Sequence, residues 1–224
     1  MVDFRGTKLI GDIIPFDGSP RVLCLHGAGP ASRQRFKELR EMLAEKEIAS
    51  WAFDFIGHGE TGGDLALSSL ESRVKQSLAI IESQNLHQPL SIIASSMSGY
   101  IAISLTKFCE VENLIFLAPA VYSPKAYFVP FGPEFTKTIR KSYSWRESDA
   151  WEILKNYKGN LLIFAAEKDK VVPYEVIKRI YNSAQNVKSR EIVIIHNATH
   201  PLGKWLSERP DSLRMVSDKI CDVL

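Results

Sequence analysis

Runs such as Leu90-Ser-Ile-Ile-Ala94 and Leu161-Leu-Ile-Phe-Ala165 are apolar at nearly every position, and this limits the folds open to the chain. A strand with one wet face alternates apolar and polar residues, whereas a strand covered on both faces reads as an unbroken apolar run. Strands are expected near Lys8 to Phe16, Arg21 to His26, Ser50 to Phe55, Leu90 to Ser95, Asn113 to Ala118, Asn160 to Ala166 and Arg190 to His196. Between them, Arg33 to Lys46, Ser68 to Gln84, Met97 to Phe108, Pro173 to Ser183 and Pro210 to Val223 carry helical patterns. In the first of these, Phe36, Leu39, Met42 and Leu43 form a one-sided stripe. Strand alternating with helix predicts an α/β fold, a doubly wound and mostly parallel sheet.

The 224 residues carry no internal repeat or Gly/Ser linker, so a single domain over 1–224 is expected. The exception to the alternation is Val121 to Trp151, which holds eight of the 22 aromatic residues and is broken by Pro124, Pro130 and Pro133. Two readings of it stay open: a small cap inserted at about 120–150, or a long connection whose aromatics pack onto the sheet.

Twenty-eight basic residues against 26 acidic ones leave a net charge of +2, so no nucleic-acid partner and no polybasic membrane anchor are expected. Cys24, Cys109 and Cys221 are too far apart for zinc-ligand pairs and odd in number, which fits reduced thiols. The longest low-charge stretch, Leu90 to Thr106, contains five serines and falls short of a membrane span. A soluble, cytoplasmic protein is the expectation, without integral membrane association.

In Leu90-Ser-Ile-Ile-Ala-Ser-Ser-Met-Ser-Gly-Tyr100, an apolar strand runs into a helix through small residues. A nucleophile on such a tight strand-to-helix turn needs small residues two before and two after it. Ser96 has Ala94 and Ser98 there, whereas Ser95 would have Ile93 and Met97. Ser96 is therefore the candidate nucleophile, and the Met97 N–H at the helix start is a candidate oxyanion donor. A serine-rich helix cap without chemistry is the plainer reading.

Upstream, His26-Gly-Ala-Gly29 ends another strand with residues able to turn N–H groups into a cleft, and Ala28 could supply a second donor. His26 itself reads as a structural tie of that loop. Gly57, Gly59 and Gly62 match a G-x-G-x-x-G pattern, but the next helix starts too late for its N-terminus to meet a phosphate held there.

A serine hydroxyl needs a base, and the base an acid to orient it. Of five histidines, His200 lies in a short loop after the last strand, at the end of the sheet where crevices form, with His196 as the fallback. Asp169 sits at the centre of a charged turn after the strand ending at Ala166, with Glu167 the runner-up; a solvated turn is the bland reading of both. The order Ser96, Asp169, His200 is nucleophile, acid, base.

With these residues in place, the chain resembles the α/β-hydrolase superfamily over nearly its whole length, most closely small cytosolic esterase-like and lipase-like members. The matching segments are His26-Gly27-Ala28-Gly29, Asp54-Phe-Ile-Gly57-His58-Gly59, Ala94-Ser-Ser96-Met-Ser98-Gly99 and Ala166-Glu-Lys-Asp169. The resemblance implies about eight mostly parallel strands and a cap after the strand ending near Ala118. It also implies Ser96 as nucleophile, Asp169 as acid, His200 as base, and Ala28 and Met97 as the oxyanion hole. Ala94, Ser98 and Ala166 depart from the glycines usual in the family. Serine at position 96 disfavours the relatives that use aspartate or cysteine.

The function expected is hydrolysis of a carboxylic ester or thioester, a small molecule with a hydrophobic acyl or aryl group, through an acyl-enzyme and without a cofactor or metal. An amide, peptide or carbon–carbon bond hydrolase of the same fold is the nearest rival, and a non-catalytic binding module the more distant one. Oligomeric state is left open.

Overall fold

The apolar runs become the middle of a seven-stranded sheet. The computed structural model describes residues 1–14 and 20–224. Among these, the strands are β1 (Val2–Phe4), β2 (Thr7–Leu9), β3 (Gly11–Ile14), β4 (Val22–Leu25), β5 (Ser50–Phe53), β6 (Leu90–Ser95), β7 (Val111–Leu117), β8 (Asn160–Ala166) and β9 (Ser189–Ile195). The helices are α1 (Lys37–Ala44), α2 (Leu70–Ser83), α3 (Ser98–Leu105), α4 (Pro133–Ile139), α5 (Ala150–Asn156), α6 (Tyr174–Ser183), α7 (Leu202–Ser207) and α8 (Pro210–Cys221). The sheet order is β3-β5-β4-β6-β7-β8-β9, with β3 antiparallel to β5 and every other pair parallel.

The single strand expected over Lys8 to Phe16 is two elements. Arg5 and Gly6 both take positive φ, 52° and 82°, the geometry of a two-residue hairpin turn, so Thr7–Leu9 folds back on Val2–Phe4 as a separate ribbon. Gly11 then begins β3, where a Cβ would stand 2.8 Å from that of Phe53. Residues 15 and 16 of the expected strand lie outside the described residues. The sheet thus has seven strands where about eight were expected, the first pair standing apart.

Side chains alternate across the central strands and feed two cores. Leu23, Leu25, Ile92, Leu114, Phe116, Leu161 and Ile163 face α2, α3, α5 and α6. Val22, Cys24, Ile93, Ile115, Leu162 and Phe164 face α1, α7 and α8. Burying each large side chain contributes about 1.5–3 kcal/mol of transfer free energy, so both helical layers are held chiefly by the sheet between them. Helix α1 starts late because Arg33–Phe36 winds as a 3-10 turn, but Phe36, Leu39 and Leu43 keep the expected inward face. Helix α2 is capped by Ser69, whose side chain accepts the Ser72 N–H.

The chain from Val121 to Trp151 is helical and short-ranged, a 3-10 turn at Pro124–Ala126, α4, another turn at Ser144–Glu147, and the start of α5. Its Phe131 and Phe135 are buried in the same core as α2 and α3. Among the described residues no helix is long and apolar enough to cross a membrane.

Strand order decides where a site can form. β4 is followed by β5 on one side, and β6 returns to lie on its other side, so the chain reverses direction across the sheet between β4 and β6. Loops leaving the carboxyl ends of two such strands diverge to opposite faces and leave a crevice. The two loops here are Gly27 to Ala31 and the turn at Ser96.

Candidate active site

Ser96 occupies the turn between β6 and α3 with φ of 50°, a left-handed conformation uncommon for serine. Three main-chain hydrogen bonds hold it there: its N–H donates to the Leu117 carbonyl at 3.0 Å, and its own carbonyl accepts from Gly99 at 2.9 Å and Ala120 at 2.8 Å. Ala94 and Ser98 are fully buried, as the small-neighbour argument requires. Ser98 does more than fit, because its hydroxyl donates to the His26 carbonyl at 2.5 Å. That bond ties the two crevice loops together, which a glycine could not do. Gly99 is required by packing, since a Cβ there would lie 2.6 Å from that of Pro119.

His200 arrives from the loop between β9 and α7, and Asp169 from the turn after β8. His200 Nε2 lies 2.8 Å from Ser96 Oγ, and His200 Nδ1 lies 2.8 Å from Asp169 Oδ2. The other Asp169 oxygen accepts the N–H groups of Val171 at 2.8 Å and Val172 at 2.9 Å. Burial by itself would raise the Asp169 pKa, but the hydrogen bonds from His200, Val172 and Val171 outweigh it and hold the carboxyl below its usual range. A carboxylate facing Nδ1 fixes the proton on that nitrogen, so Nε2 presents its lone pair to the Ser96 hydroxyl. The arrangement can therefore take a proton from Ser96.

The fallback residues take no part in these hydrogen bonds, although they line a cavity together with Asp169. The His196 side chain is 80% exposed and stands 3.3 Å from Glu167 Oε1, while the other Glu167 oxygen accepts the Asn197 N–H.

The loop after β4 is tied down from below by groups with defined proton positions. His26 is fully buried; its Nε2 accepts the Phe55 N–H at 3.1 Å, so its Nδ1 carries the proton it gives to the Gly27 carbonyl at 2.8 Å. His58 donates from Nδ1 to the Ala31 carbonyl at 3.1 Å, which leaves its Nε2 to accept from Arg73 at 2.5 Å. Burial, reinforced by the Arg73 charge, pushes the His58 pKa down to about 4. Gly27 sits so close to the serine turn that a Cβ there would stand 3.1 Å from Ser96 Cβ. Among the described residues the N–H groups of Ala28 and Met97 have no acceptor within the protein.

Arg73 escaped the sequence reading, although a signal was present. On α2 it shares the buried stripe with Leu70, Val74, Ser77 and Ile81, where a cation is out of place. The Gly57, Gly59 and Gly62 turn holds the chain's own carboxylate. The Glu60 N–H donates to Asp54, the Thr61 hydroxyl to the Asp54 carbonyl, and Arg33 pairs with both Asp54 and Glu60.

The cavity that reaches Ser96 and His200 is small, about 120 Å³, and its wall includes Ala28, Pro30, Ala31, Arg35, Gly203 and Lys204. None of its lining residues comes from the aromatic insertion. Those aromatics pack on one another and on α3: Tyr100 meets Tyr122 and Tyr127 edge-on, and its hydroxyl donates to Asp149 at the start of α5, at 2.6 Å. A larger groove of about 870 Å³, lined by Pro89, Val111 and Gly159, opens at the amino ends of the strands, away from Ser96.

Residues 19–147 match the family model described as serine aminopeptidase, S33. No curated protein matches the chain by sequence. Among solved structures the chain is similar to Est1E from Butyrivibrio proteoclasticus with ferulic acid bound, at 19% identity and a TM-score of 0.77, over 99% of this chain and 98% of that one. It is also similar to the esterase EaEST from Exiguobacterium antarcticum, at 19% identity and 0.72, over 96% of each chain. A third is the monoacylglycerol lipase of Paleococcus ferrophilus, at 18% identity and 0.68, over 94% of this chain and 99% of that one. At such identities these likenesses concern the fold, which matches from end to end, while the family match spans more than half of the chain; this protein belongs to the α/β-hydrolase superfamily, in the family described as serine aminopeptidase, S33.

Proposed function

We propose that the protein hydrolyses a small carboxylic ester or thioester through an acyl-enzyme. The observation that carries this is the unbroken chain from Ser96 Oγ to His200 Nε2 and from His200 Nδ1 to Asp169, each link 2.8 Å, at the crevice made by the sheet's reversal. Ser96 attacks the carbonyl carbon while His200 takes its proton, and Asp169 stabilises the imidazolium. The carbonyl oxygen becomes an oxyanion held by the N–H groups of Ala28 and Met97. His200 returns the proton to the leaving alcohol or thiol, and a water deprotonated by the same histidine then releases the acid. In this reading the chain is one domain with a cap-like insertion at about 120–150.

The cavity favours a short acyl group. Phe131, Tyr122 and their neighbours, against which a long or aryl acyl chain could pack, do not line the space beside Ser96.

Peptide-bond hydrolysis is the second reading, and the family description favours it. An aminopeptidase must bind an α-ammonium group beside the scissile bond, and that calls for a carboxylate. The cavity at Ser96 instead carries Arg35 and Lys204. Cationic walls repel an ammonium group, and on that ground the ester reading stands ahead.

A fluorophosphonate probe should label the wild type and leave Ser96→Ala unlabelled. In a panel of p-nitrophenyl esters, arylamides and acyl-CoA thioesters, acetyl and butyryl esters should turn over faster than octanoyl ones. Cleavage of arylamides alone would install the peptide-bond reading. A wild type inert to both probe and panel would leave a binding module.

A further inference from the structure

Arg73 is 1% exposed, and among the described residues no carboxylate pairs with it. One guanidinium nitrogen faces His58 Nε2, a second lies 3.4 Å from the Gly27 carbonyl and 3.4 Å from Met97 Sδ, and Nε has no partner. Phe55 and Phe131 both lie against it, with ring centroids 4.7 and 4.8 Å from the guanidinium carbon. A buried cation is costly without a counter-ion, and stacking on rings offsets only part of that cost. Fold stability would be served at least as well by an apolar side chain of the same size.

We infer that Arg73 is a positioning residue for the oxyanion hole, acting through the peptide group between Gly27 and Ala28 and through Met97. This rests on the acyl-transfer reading above. The carbonyl oxygen of Gly27 and the N–H of Ala28 belong to one planar trans peptide and point in opposite directions. His26 Nδ1 and Arg73 both donate to that oxygen from inside the protein. Pinning the oxygen inward therefore turns the Ala28 N–H outward, towards the cavity that Ala28 shares with Ser96. A cation on the oxygen also polarises the peptide and strengthens its N–H as a donor. The same guanidinium touches the side chain of Met97, whose N–H is the other donor. Burial lowers the Arg73 pKa to about 9, so the charge persists at neutral pH. His58 accepts from it and stays neutral, so it adds no opposing charge.

A group that acts on the oxyanion should change the transition state and leave ground-state binding alone. The experiment compares wild type, Arg73→Met and Arg73→Lys for kcat and KM on p-nitrophenyl acetate, and for inhibition by a methyl trifluoromethyl ketone. That ketone adds to Ser96 and leaves its oxygen in the hole. Arg73→Met should lose roughly tenfold to a hundredfold in kcat, less than the roughly 10²–10³ lost with a direct donor. KM should stay within about twofold, and Ki for the ketone should rise by the same factor as kcat falls. Arg73→Lys should recover at least a third of the loss on a logarithmic scale.

A wild-type kcat in folded Arg73→Met, an unchanged Ki beside a reduced kcat, or a lysine variant no better than methionine would each overturn the inference. Should Arg73→Met not fold, Arg73→Gln is read by the same criteria. Failure of both neutral variants to fold would assign Arg73 to stability and overturn it as well. An inert wild type would remove the acyl-transfer reading together with this one, whereas an active wild type with an unaffected methionine variant would remove this one alone.

Discussion

Lowering the pH from 7 to 5 should destabilise this protein through two histidines that take no part in the proposed chemistry. His58 has its pKa pushed from 6.5 to about 4 by burial and by Arg73, and His26 is pushed well below 6.5 by burial, Arg73 and His58. Both are depressed in the folded state, so the unfolded chain binds protons that the folded one refuses. Their stabilisation is complete above about pH 6.5 and is lost as pH falls towards the folded values. For His58 the full gap is worth about 3 kcal/mol, of which about 2 kcal/mol is gone by pH 5. His26 should add a loss of the same sign over the same interval. Asp12 and Asp169 also have lowered pKa values, but carboxylates of that kind lose their contribution only below about pH 4, outside the window.

The test isolates His58 with His58→Gln. A glutamine amide can donate to the Ala31 carbonyl and accept from Arg73, keeping both bonds while removing the titration. Urea unfolding followed by tryptophan fluorescence at pH 7 and pH 5, at constant ionic strength, gives the stability of each protein. Wild type should lose about 2 kcal/mol more than the variant between the two pH values. Curves that fall in parallel, within about 0.5 kcal/mol, would show that His58 is not held neutral and would refute the proton assignment beneath the loop.

Other perturbations separate the neighbouring roles. His200→Ala should abolish ester turnover, and His196→Ala, removing an exposed pair with Glu167, should leave turnover intact and shift stability by less than about 1 kcal/mol in urea titrations. Gly27→Ala puts a methyl group 3.1 Å from Ser96 Cβ, so kcat on p-nitrophenyl acetate should drop by roughly tenfold or more while the unfolding midpoint changes little. Tyr100→Phe removes the donor to Asp149 at the start of α5; it should cost about 1–3 kcal/mol by chemical denaturation and loosen the insertion, seen as faster amide exchange over α5.

Central strands were legible in sequence because burial on both faces leaves few polar positions to interrupt them, and β6 and β8 have the expected bounds. The Lys8 to Phe16 run misled because strand propensity does not report pairing. Two positive φ angles at Arg5 and Gly6 sent its first part back onto β1. Ser96 could be singled out from Ser95 by the size of residues two positions away, since that constraint is local. The aromatic insertion was visible as composition, but its destination was not. Whether Phe131 lines a cavity or stacks on a cation depends on what α2 presents to it, and α2 presents Arg73. Arg73 went unread although its charge falls on a buried stripe, and its meaning came only when β4 and β6 were placed side by side and Gly27 stood within its reach.

The polar groups beneath the crevice divide into two sets with opposite electrostatic character. Asp169 and His200 form a carboxylate–imidazole pair at the edge of the cavity, with side chains 9% and 15% exposed. His26, His58 and Arg73 lie deeper, two neutral rings and one cation, and their hydrogen bonds run to carbonyls of the Gly27 to Ala31 loop, to Met97 Sδ and to one another. In the proposed reaction, negative charge developing on the carbonyl oxygen beside Ser96 would meet main-chain N–H groups in front and positive charge behind, while the carboxylate stays on the far side of His200. Preorganised dipoles backed by a fixed cation need no rearrangement when charge forms, and that is the condition under which such a site lowers a barrier. The cost of burying Arg73 unpaired is intelligible on the same terms, because a counter-ion beside it would cancel the field that the loop transmits.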